Sequence, residues 1–149
     1  MAKKKSSKPA AKTFPVVYVI AICDAVARDP NSHKSTVYGI FDSLIAPKLP
    51  AEVFFSVYVR IHGEPGVRKL QLKLLDEAGG VVKDAGGPEF EFDFGKQPVA
   101  EMSVRVVGLS LGRGKYRIAV FCEKKNIGMS YPLVVAKGKG EKKQSKAKS

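Results

Sequence analysis

The chain has 149 residues, 44 % hydrophobic, 9 % aromatic and 27 % charged, which suits one domain with its own core. Its formal charge of +12 is unevenly placed: residues 1–12 and 137–149 together carry +10, and the 124 residues between them carry +2. No apolar run approaches the ~20 residues of a membrane-spanning helix. Cys23 and Cys122 lie outside any C-x-x-C spacing and His33 and His62 complete no zinc pattern, so no metal or cofactor is expected.

Taken in chain order, residues 1–12 hold Lys3, Lys4, Lys5, Lys8 and Lys12 among Ala, Ser and Pro. So few apolar side chains cannot offset the entropy of ordering, and the segment is expected to be a disordered basic tail. Residues 16–25 are apolar on both faces, which predicts a central strand. The same stretch has a competing interpretation. Lys3, Lys4 and Lys5 could form the charged start of a signal peptide, 14–23 its apolar region and Ala25-Val26-Ala27 its cleavage site. Pro15, Tyr18 and Asp24 interrupt that apolar run, and the lysines spread out to Lys12, so a native first strand is the preferred interpretation.

After the turn at Asp29-Pro30-Asn31, residues 36–45 are again apolar on both faces and predict a second central strand. From there period-two alternation dominates. Phe55, Val57, Val59 and Ile61 alternate with Ser56, Tyr58, Arg60 and His62. Leu70, Leu72 and Leu74 alternate with Lys69, Gln71 and Lys73, and Phe90, Phe92 and Phe94 with Glu89, Glu91 and Asp93. Met102, Val104 and Val106 alternate with Glu101, Ser103 and Arg105, and Tyr116, Ile118, Val120 and Cys122 with Lys115, Arg117 and Glu123. Each pattern describes a strand with one face buried and one wet. Residues 129–136 form the last strand. The segment 137–149 then mirrors the first tail with Lys137, Lys139, Lys142, Lys143, Lys146 and Lys148 against one acid, Glu141.

Turn signals at Gly63-Glu64-Pro65-Gly66, Ala78-Gly79-Gly80, Gly86-Gly87-Pro88, Gly112-Arg113-Gly114 and Asn126-Ile127-Gly128 separate these strands. With no amphipathic helix between them, the pattern predicts an all-β fold. The expectation is an antiparallel, Ig-like β-sandwich of eight or nine strands over 13–136, flanked by the two Lys-rich tails. Gly114-Lys115-Tyr116 suits a tyrosine corner, in which the hydroxyl bonds backbone a few residues upstream.

Ile22-Cys23-Asp24 followed by Tyr38-Gly39-Ile40-Phe41-Asp42 resembles a bacterial family of small domains with no assigned function. The resemblance continues through Leu49-Pro50, Leu74-Leu75-Asp76, Gly114-x-Tyr116-Arg117 and Pro132-Leu133-Val134, spanning 16–135 and neither tail. It implies a compact β-sandwich in a bacterial protein and brings no catalytic residues with it.

The candidate sites are few. The eleven tail lysines could neutralise phosphates and bind DNA or RNA without reading sequence. An anionic membrane surface, or merely solubilising tails, are the alternatives. Asp24 and Asp42 are acids in apolar strands that a hairpin would bring near each other; hydrogen-bonding acids at strand ends explain them better than a cation site. Gly108 to Lys115 imitates a phosphate loop, but its spacing is one residue too long and a strand follows where a helix is required, so a hairpin loop is expected. Lys124 and Lys125 describe a solvated hairpin tip. Cys23 and Cys122 are buried thiols in a reducing compartment or a disulfide between two sheets in an oxidising one. Either cysteine with His62 lacks any motif of nucleophilic catalysis.

The expected function is therefore a non-catalytic, cytoplasmic binding or structural module whose tails hold it on a polyanion, with an unknown protein partner for the sandwich. The alternatives are a protein-interaction domain with inert tails and an unrecognised enzyme. Export is the alternative location if 1–27 is a signal peptide.

Overall fold

The computed structural model describes residues 13–139. These form eleven strands: β1 (Val16–Arg28), β2 (Ser35–Ile40), β3 (Ser43–Ala46), β4 (Ala51–His62), β5 (Val67–Leu75), β6 (Val81–Gly86), β7 (Phe90–Asp93), β8 (Val99–Leu111), β9 (Gly114–Cys122), β10 (Lys125–Met129) and β11 (Leu133–Lys137). There is no helix among the described residues, and hence none long and apolar enough to cross a membrane. The fold is all-β, built as two open sheets.

The first sheet has the order β2–β1–β4–β8, antiparallel throughout. The second follows β3–β11–β9–β5–β6. In it, β10 and β11 divide one edge of β9, and β6 and β7 divide one edge of β5. Only β3 and β11 run parallel. One apolar cluster draws on both sheets: Val53, Phe55, Val57, Val59 and Ile61 of β4 meet Leu70 and Leu74 of β5, Ile118, Val120 and Cys122 of β9, and Leu133 and Val135 of β11. The alternation expected for β4, β5 and β9 is thus the alternation between this core and the outer faces.

Several expectations need correction. Residues 36–45 are not one central strand. Gly39, with φ of 63°, lies one residue before the end of β2 at the edge of the first sheet, and after Phe41 and Asp42 the chain passes into the second sheet as β3. The stretch is apolar on both faces because it changes sheets: Ile40 faces solvent while Phe41 and Leu44 pack on the core. Gly86-Gly87-Pro88 breaks a strand without reversing it, since β6 and β7 both run antiparallel along β5, linked by Gly87 N–H donating to Leu72 O at 3.1 Å. Gly112-Arg113 is not a hairpin loop: β8 lies in the first sheet and β9 in the second, so these residues cross between sheets. The Tyr116 hydroxyl fixes that crossing by donating to Gly112 O at 2.9 Å, as a tyrosine corner should. Eleven strands rather than eight or nine result, because 36–45 divides into β2 and β3, β6 shows no alternation, and Asn126-Ile127-Gly128 lies inside β10 instead of forming a turn.

The two ends of the described chain lie at opposite ends of the body. Thr13 donates to Glu64 Oε2 at 2.7 Å and accepts from Arg68 at 2.8 Å, and Phe14 lies under Lys125 Nζ at 4.4 Å. These contacts sit where β9 finishes and β5 begins, Cys122 being opposite Leu70. Lys137 instead lies beside Ala46, at the end where β9 starts, Val135 being opposite Gly114.

Candidate functional site

Of the tail lysines, the structure describes Lys137, at the exposed end of β11, and Lys139, also exposed. Lys3, Lys4, Lys5, Lys8, Lys12, Lys142, Lys143, Lys146 and Lys148 lie outside the described residues. What the structure supplies is where their segments join the body: 1–12 at the Arg68 and Lys125 end, 140–149 at the Ala46 end.

Four of the body's cations share the outer face of the second sheet. On β5 and β9 the residues alternating with the core place Lys69, Lys73, Lys115 and Arg117 outward. Lys73 Nζ sits 4.6 Å over the Phe121 ring, and Lys69 lies directly opposite Glu91 of β7. Acidic neighbours thus partly neutralise this face, in keeping with the near-neutral body.

Asp24 and Asp42 are both exposed and do not face each other. Asp24 packs against Gly39, where an added Cβ would collide with its carboxylate, while Asp42 lies beyond β2 and its carbonyl accepts Val134 N–H at 2.9 Å. Among the described residues no group of three or more His, Cys, Asp or Glu could hold a metal ion.

The cysteines and histidines are kept apart by the pleat. Directly opposed residues of a ladder share a face, so Ile22 opposite Val57 is inward and Cys23 opposite Ser56 is outward. Cys122 faces the core. The two thiols therefore lie on opposite sides of the first sheet's backbone and are not joined. Burial, followed by the Asp24 charge, pushes the Cys23 thiol above its ordinary value, and its Sγ lies 3.5 Å from Ser56 O. His62 is six residues along β4 from Ser56, roughly 20 Å at strand rise, and it packs edge-on to Tyr18 at 5.9 Å. Cys23 and His62 form no nucleophile–base pair.

The densest polar cluster is one the sequence reading passed over. Glu101 at the start of β8 accepts from the hydroxyls of Ser35 and of Tyr58, the latter at 2.9 Å, with Arg60 Nη1 at 3.7 Å. Burial pushes its carboxyl up, but the Ser35 and Tyr58 hydrogen bonds and the charges of Arg28 and Arg60 outweigh that and hold it below the ordinary value. Since Ser35 pairs with Arg28 at the far end of the β1–β2 hairpin, Glu101 ties that hairpin to β8. Every group here is partnered, so the cluster is structural in character.

A second feature lies along β1. β2 pairs with β1 only from Cys23 onward, so residues 16–21 pair with β4 on one side and with no strand on the other; Gly128 of β10 packs against Val17 at one end of that edge and leaves it open from Tyr18 to Ala21. Two adjoining hollows of about 470 and 430 Å³ follow this edge and share Val19, Ile20, Ser130 and Tyr131. Tyr131 is 87 % and Tyr18 62 % exposed. Which edge stays open depends on which strands pair, and period-two patterning carries no such information.

No curated protein matches the chain. A family model does, over residues 18–136, which is the described body almost from end to end and agrees with the span of the resemblance drawn from sequence. The chain belongs to that family, DUF6941, a family of unknown function.

Proposed function

We propose that this chain is a non-catalytic binding module of a bacterial cytoplasm, an Ig-like β-sandwich held on a polyanion by its two lysine-rich ends. The polyanion in this reading is DNA or RNA, bound without sequence preference. The observation that carries it is the charge division: +10 of the +12 resides in 1–12 and 137–149, and those segments leave the body from opposite ends. Two cationic arms so placed can engage a long polyanion at two points, each raising the effective concentration of the other. The Ig-like description rests on two sheets sharing one core and on the Tyr116 corner. The cytoplasmic reading is supported by β1, which pairs with β4 over residues 16–23 and with β2 over 23–28; cleavage after Ala27 would remove the strand between them.

The test compares the full chain with a variant in which all eleven tail lysines are glutamine, titrated against duplex DNA and RNA at several salt concentrations. The expected result is a log–log salt slope approaching about −10 for the natural chain if all eleven engage, and loss of binding in the variant. Equal binding by both proteins, or none by either near physiological salt, overturns the tether. The open β1 edge favours a second reading, a protein-interaction body with inert tails; there the glutamine variant would keep its protein partner undiminished.

A further inference from the structure

We propose that the open edge of β1 is a homodimer interface, in which two copies pair their β1 strands antiparallel about a two-fold axis near Ile20 and Tyr131. The backbone is set for it. Phe41 N–H donates to Ile22 O at 3.0 Å on the side away from β4, so Ile20, two residues earlier, turns its own N–H and C=O toward the same open edge. An extended strand is the partner that satisfies such groups.

The side chains say which strand. Of the two hollows, the one at Val17 is bordered by Arg117 and the one at Ile22 by Asp42. Both charged residues are exposed. A two-fold axis through the shared Ile20 and Tyr131 exchanges the two ends, bringing each Arg117 to Asp42 of the second copy and the reverse. One positive and one negative end, symmetric about the midpoint of an open edge, is the self-complementarity that an isologous interface requires. Between the charges, Tyr18, Val19 and Tyr131 supply exposed apolar surface to be covered. The chain's own end segments, nearly devoid of apolar side chains, do not fit this surface.

Sedimentation equilibrium of the full chain near 0.15 M salt, from about 1 µM to 1 mM, tests the proposal. The natural chain should dimerise. Arg117→Asp and Asp42→Arg should each weaken dimerisation by about tenfold or more, because like charges then meet at both ends, and the double variant should recover to within about threefold. Val19→Lys should weaken it independently, and each variant should keep the natural chain's circular dichroism spectrum, since all three positions are exposed. A chain that stays monomeric throughout, single reversals without effect, or a double variant no better than the singles would each overturn the interface.

Discussion

Tyr116 shows how much of a fold can hang on one atom. Its hydroxyl holds the Gly112 carbonyl where the chain leaves one sheet for the other, and the ring packs on the shared core. Tyr116→Phe keeps the packing and strands that carbonyl, so it should cost about 1–2 kcal/mol in denaturant unfolding. Gly39 is the opposite case: at φ of 63° and against the Asp24 carboxylate, only hydrogen fits. Gly39→Ala should lower stability by at least about 1–2 kcal/mol, and Asp24→Ala in the same chain should recover the steric part but not the backbone strain. At the β9–β10 turn Glu123 and Lys124 adopt φ of 51° and 66°. Lys124→Gly should raise stability there by a few tenths to about 1 kcal/mol, read as a rise in Tm.

At the scale of elements, the β1–β2 hairpin is fastened to β8 through Glu101. The carboxyl's folded value lies below its unfolded one, so its contribution is present above the unfolded value, about 4.3, and fades as pH falls through the folded value. Glu101→Gln should therefore be less stable than the natural chain near pH 7, and the gap should narrow as unfolding is measured from about pH 5 downward. A gap that widens on acidification would contradict this sign. The strands themselves were largely legible: Val57, Val59 and Ile61, or Leu70 and Leu74, alternate with their neighbours as a half-buried strand must. Legibility failed where pairing, not patterning, decides. The outer face of β4 reads wet, yet Ser56 and Tyr58 are buried on it, and no period-two pattern shows that cover. Glu101 likewise looked like one more solvent-facing acid until Ser35, 66 positions away in sequence, met it.

Across the whole molecule, a single core couples both sheets, so damage to one should be felt by the other. Ile61, fully buried on β4, packs in the cluster that includes β5, β9 and β11. Ile61→Ala should cost about 2–5 kcal/mol, with far-ultraviolet and tyrosine signals still melting together in one transition. The sequence by itself determined the all-β class, the positions of most strands and turns, the concentration of charge in the end segments and the family-like span of the body. These follow from local chemistry: side-chain alternation, turn residues and composition are properties of short windows. Only the tertiary structure decided which strands pair, that residues 36–45 divide between two sheets, that Cys23 and Cys122 face away from each other, that the charged ends leave from opposite poles and that β1 keeps an open edge. Those depend on contacts between residues far apart in sequence, and the order of strands in a sheet is set by how faces and edges fit in space, on which a single strand's pattern is silent.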